Sequence, residues 1–112
     1  MATDLTSRID ALSAEIRQLD LRRSELLQLW AQDACPHEVG DVLTIAPESR
    51  NRKQKDMRVT EITFRTWTSL AGEFHYLWVT HGLVLNPDGS VGFREATWDQ
   101  ERHMATRARE SA

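Results

Sequence analysis

From Leu5 to Trp30 the chain keeps an unbroken heptad: Leu5, Ile9, Leu12, Ile16, Leu19, Arg23, Leu26 and Trp30 follow one another at alternating spacings of four and three. On an α-helix that spacing lines these side chains along one narrow seam, the pattern of a coiled coil. No other stretch constrains the fold as strongly. A helix with so narrow an apolar stripe gains most of its stability from what packs against the stripe.

The limits of this helix follow from its neighbours. Thr3 and Asp4 are candidate N-caps, and an acidic first turn suits the helix dipole. No Gly or Pro lies between Asp4 and Gln32. Pro36 stops the helix, and Cys35 before it is pushed out of helical geometry. From Val39 onward the hydrophobic period changes from about 3.5 to about 2.

The remainder reads as a small antiparallel β unit, a β-barrel or curled sheet. Gly40-Asp41 turns into a strand at Val42–Ile45, and residues 47–56 form a polar loop. Residues 57–68 alternate, with one phase slip between Val59 and Ile62 that predicts a bulge. Ala71-Gly72 is a turn. Residues 73–81 make the clearest strand, with Phe74, Tyr76 and Trp78 on one face. Leu83 to Leu85 run into Asn86-Pro87-Asp88-Gly89, a hairpin signal, and residues 91–94 return. Thr97-Trp98-Asp99-Gln100 has the spacing of a capping box and predicts a short helix that frays into a polar tail. The fold class expected is therefore α+β: a coiled-coil helix at 1–35, a β domain at 36–96, and a short helix with a tail at 97–112.

Val39-Gly40-Asp41-Val42 followed by short strands resembles the opening of SH3-like barrels, including the KOW and Tudor types. The resemblance covers roughly residues 38 to 95. It implies a barrel fold and carries no activity with it.

Dimensions favour self-association of the helix over packing on its own β unit. Twenty-six residues give a helix of ~39 Å, whereas a compact unit of ~70 residues has a diameter of roughly 28 Å. The seam is strict before Leu19. After Leu21 the residues Leu26, Leu27, Leu29 and Trp30 surround the helix, so the last two turns are expected to dock on the β unit and the first four to pair with a second copy. The charges choose an orientation. With Ile9, Ile16, Arg23 and Trp30 at position a, a parallel dimer sets Arg23 against Arg23 and Glu15 against Asp20. An antiparallel dimer instead stacks Leu5 on Trp30, Ile9 on Leu26, Leu12 on Arg23 and Ile16 on Leu19, and brings Glu15 opposite Arg22 twice. Exposed ion pairs are worth only ~0.2–1 kcal/mol each, so they select the orientation while Leu and Ile burial supplies the affinity. Arg23 can lay its aliphatic stem along the seam and keep its guanidinium in water.

Composition narrows the function classes. The 112 residues carry a net charge of −3, which predicts neither avid nucleic-acid binding nor strong membrane attraction. No run approaches the ~20 apolar residues of a membrane span, and no basic-then-apolar leader opens the chain. A cytoplasmic location follows as the expectation, and the single Cys35 fits it. Neither a cofactor nor a small-molecule substrate is expected.

No constellation marks a catalytic centre. Cys35 and His37 supply too few ligands for a zinc site, and His75 and His81 stand ~20 Å apart along one strand. The four histidines are expected to be solvated or hydrogen-bonded at the surface, Cys35 to be a buried or half-buried junction residue, and no metal to bind. No pair of carboxylates is placed for acid–base work, and no phosphate cradle is present, so the chain is expected not to be an enzyme.

What is left is association. The first expectation is a non-catalytic homodimer that presents two β domains to a protein or other macromolecular partner. The second is a nucleic-acid module, in which Arg50, Arg52, Lys53, Lys55 and Arg58 neutralise phosphates and Trp67 and Tyr76 stack on bases. In organisation the chain also resembles small phage-encoded accessory proteins, anti-CRISPR inhibitors among them, which act by protein binding. Acidic mimicry of nucleic acid is disfavoured, because the helix alternates its carboxylates with arginines.

Overall fold

The computed structural model of the protein describes residues 2–45 and 54–111. The elements run α1 (Ala2–Ala34), β1 (Val42–Ile45), β2 (Lys55–Thr68), β3 (Phe74–Leu85), β4 (Val91–Asp99) and α2 (Gln100–Ser111). The fold is α+β, with one long N-terminal helix, a four-stranded antiparallel sheet and a short C-terminal helix. Two compact units divide the chain, residues 1–30 and 31–112. No described helix is long and apolar enough to cross a membrane.

The first unit is helix alone. Helix α1 itself runs on to Ala34 and ends where expected, with Cys35 outside the helix although its amide still donates to the Ala31 carbonyl at 3.0 Å. The helix begins at Ala2, however, so Thr3 and Asp4 lie inside its first turn and not at the cap. Asp4 still serves there as an acidic group near the positive end of the dipole.

In the second unit the strands pair in chain order, β1-β2-β3-β4, and the sheet is open, with β1 and β4 as its edges. The β2–β3 and β3–β4 hairpins solve their turn in the same way. The Gly72 amide donates to the Ser69 carbonyl and the Gly89 amide to the Asn86 carbonyl, and each glycine has a positive φ, +85° and +90°. A side chain with a Cβ adopts that conformation only under strain. Ser90 donates its hydroxyl and its amide to the Asp88 carboxylate, which holds that carboxyl below the ordinary range.

The phase slip in the sequence of β2 is a bulge. Val59 pairs with Gly82 and Glu61 with His81, so Thr60 is the inserted residue, and its hydroxyl donates to the His81 carbonyl. The extra residue resets the alternation. Met57 and Val59 before it and Ile62 after it are all buried on the same face, as the core requires. Thr80, fully buried, donates its hydroxyl to the Trp98 carbonyl at 2.8 Å.

Three extents differ from the sequence expectation. β3 runs unbroken through Gly82 to Leu85, because the missing Cβ there leaves room for Met57 and the Arg58 carbonyl. β4 continues past Arg94 to Asp99, interrupted by a shift in which residues 91–95 span only Leu83 to Leu85 of β3. α2 starts at Gln100 and is capped by Asp99, whose carboxylate accepts the Arg102 amide at 3.0 Å, whereas the expected box began at Thr97.

Candidate functional site

The seam of α1 is the most extended candidate surface among the described residues. Leu5, Ile9, Leu12, Ile16, Leu19 and Leu26 are each between 58 and 66 % exposed. A Leu or Ile side chain gains ~1.5–3 kcal/mol on full burial, so each of these retains more than half of its hydrophobic driving force. Arg23 interrupts the seam. Its guanidinium meets the Asp20 carboxylate one turn back at 3.2 Å, and both side chains stay more than half exposed. A stem lying in the seam therefore does not strand its charge. Glu15 and Arg22 are exposed on the flank, where sequence placed them. Among the leucines that follow Leu21, Leu27 is buried while Leu26 and Leu29 remain exposed.

Among the described basic and aromatic candidates of the β unit, Arg58 and Trp67 lie far apart. Arg50, Arg52 and Lys53 lie outside the described residues. Lys55 opens β2 opposite Ile45, and Arg58 follows opposite Val42, exposed and on the face away from Met57. Trp67 sits at the other end of the same strand. Nine residues of β-strand place Arg58 and Trp67 up to roughly 30 Å apart. The ring of Trp67 already stacks on His75, its cross-strand partner, at 5.3 Å and 17°. Tyr76 tilts against Phe74 at 6.0 Å.

Trp67 and Tyr76 do share a shallow groove of about 370 Å³, which Leu77, Gln100, Glu101 and Met104 complete. Of the other tryptophans, Trp78 and Trp98 are buried and Trp30 is half-buried. Gln100 lengthens the hydrogen-bonding edge of β3, its side-chain oxygen accepting the Trp78 amide at 3.4 Å where β4 has ended.

The surface assignment of the histidines fails for His37. Its Nε2 is shielded from water and has no hydrogen-bond partner, and its ring lies against Trp78 and His103. Burial first, and the proximity of His103 second, push its pKa below the ordinary imidazole value, while Asp41 pulls weakly the other way. Sequence could not reveal this contact, because it depends on α2 returning to the segment that follows α1. Cys35 is buried as expected. Burial raises the pKa of its thiol, a backbone hydrogen bond from His37 opposes that, and Asp41 adds to it. A thiol so raised is a poor nucleophile at neutral pH. Among the described residues no three His, Cys, Asp or Glu side chains are grouped to hold a metal ion.

No protein-family model, no curated protein sequence and no solved structure matches this chain.

Proposed function

We propose that the chain is a non-catalytic binding protein that dimerises through α1 and presents two copies of its β unit to a macromolecular partner. One observation carries this reading: six apolar side chains on a single helical seam are all more than half exposed. A contiguous apolar stripe of this length is a site of association. The partner is a second copy in antiparallel orientation, because Glu15 and Arg22 then meet and Arg23 avoids itself. In this reading the β unit takes the place of the SH3-like domain, and antiparallel pairing sets the C-terminal ends of the two α1 helices at opposite ends of the pair. A small inhibitor that acts by occupying its target is one form of the same role.

Cross-linking tests both the association and its direction. In the antiparallel register the flanking positions Arg8 and Leu29 of opposite chains face each other. Both are exposed, unlike Leu27. Chains carrying Arg8→Cys and Leu29→Cys, each with Cys35→Ala, are mixed and oxidised. The reading expects a mixed disulfide dimer and little Arg8→Cys self-dimer. A dominant self-dimer overturns the orientation, and the absence of any cross-linked species overturns the association.

A further inference from the structure

Three aromatic rings meet where α2 returns to the segment after α1. The His37 ring stands edge-on to Trp78 at 6.0 Å and 81°, and edge-on to His103 of α2 at 5.4 Å and 84°. Trp78 and His103 close the triangle at 5.5 Å. Trp78 is buried, and the His37 Nε2 is shielded from solvent and has no hydrogen-bond partner. A buried polar nitrogen without a partner is costly when neutral and far more so when charged.

The groups around this nitrogen are few. Asp41, on the same segment as His37, favours an imidazolium, yet its carboxylate already accepts the Glu38 amide at 2.8 Å. The Cys35 thiol stays protonated and neutral. From α2 the facing group is His103, a second imidazole, which repels a charge on the first. From β3 it is Trp78, which carries no charge. Outside the ring cluster, α2 is tied to β3 by the 3.4 Å contact from the Trp78 amide to Gln100.

We infer that the His37–His103 pair makes the docking of α2 pH-dependent, so that protonation releases the helix and uncovers Trp78 and the Met104 side of the groove. Docking favours neutral His37, so the bound proton belongs to the released state. Docking is therefore strongest above the ordinary imidazole value of about 6.5, weakens as pH falls through it, and loses the full contribution only below the depressed value of the docked state. This inference does not depend on dimerisation, since every group in it lies in residues 31–112.

Hydrogen exchange of the full chain tests it, with amide protection in α2 corrected for intrinsic rates at pH 7.5 and 5.5. Protection of α2 should fall severalfold at the lower pH while the β2–β3 hairpin holds. The double variant His37→Phe/His103→Phe keeps rings in place and removes both imidazoles, so its α2 protection should not depend on pH. His81→Gln should behave as the wild type. Constant protection of wild-type α2 between the two pH values overturns the inference, as does an equal fall in the double variant. Should that variant not fold, NMR titration of the wild type decides. A His37 value below 6.5 upholds the inference, and one at or above 6.5, as a dominant cation–π contact with Trp78 would give, overturns it.

Discussion

Replacing Ile9 and Ile16 by Asp should abolish self-association, and the size of the effect can be worked from their exposure. In the antiparallel pairing Ile9 packs on Leu26 and Ile16 on Leu19, and symmetry doubles each contact. The two isoleucines are 63 and 59 % exposed in the single chain. Burying the remainder gains about 1–2 kcal/mol per side chain, so the four in a dimer contribute about 4–7 kcal/mol. Since 1.4 kcal/mol is a factor of ten, removing them weakens the dimer at least about a thousandfold, before any cost of bringing carboxylates against Leu19 and Leu26. The helix should suffer too, because an isolated amphipathic helix in water is marginal without a packed face. Sedimentation velocity should show a monomer at micromolar concentrations, and far-UV circular dichroism a loss of helix confined to α1. A variant that sediments with the mass of the wild type, or that keeps full helicity as a monomer, would refute this reasoning.

The remaining predictions concern orientation and the β unit. Glu15→Arg should weaken an antiparallel dimer by roughly 0.5–2 kcal/mol through loss of the Glu15–Arg22 contacts, with Glu15→Arg/Arg22→Glu restoring it; in a parallel dimer the single change would relieve the clash with Asp20 and strengthen association, so the sign read by sedimentation equilibrium decides the orientation. Asp99→Ala removes the acceptor of the Arg102 amide and should cost about 0.5–2 kcal/mol in chemical unfolding, little of it from the half-exposed Arg65 contact at 3.0 Å; a change too small to measure would show that Asp99 does not cap α2. Gly82→Ala drives a Cβ against the Arg58 carbonyl and Met57 and should cost about 1–3 kcal/mol, so Tm should fall by at least about 4 °C; an unchanged Tm would mean that β2 and β3 do not approach so closely there.

What the sequence made legible is what local rules control. The end of α1 follows from Pro36, and the seam follows from spacing alone. The bulge at Thr60 was visible because Val59 and Ile62 cannot both face the core in an unbroken strand. Features set by distant partners were not visible. The sequence reading set the clearest strand at residues 73–81, short of Gly82, whose missing Cβ admits Met57 from the neighbouring strand and lets β3 continue. β4 looked short because Arg94-Glu95-Ala96-Thr97 shows no clean alternation next to a register shift. The same limit applies to the candidate sites. Arg58 and Trp67 were grouped by chemistry, yet β2 holds them at opposite ends, while Trp67 and Tyr76 do border one groove. The His37–His103 contact joins residues far apart in the chain, and nothing near either one announces it.

The central claim is that the exposed seam of α1 is covered by a second copy of the chain. The molar mass of the wild-type protein in solution, measured by light scattering over a micromolar concentration series, tests it most directly. The account predicts a mass near 25.8 kDa, twice the 12.9 kDa of one chain. A mass that stays at 12.9 kDa across the series would contradict it.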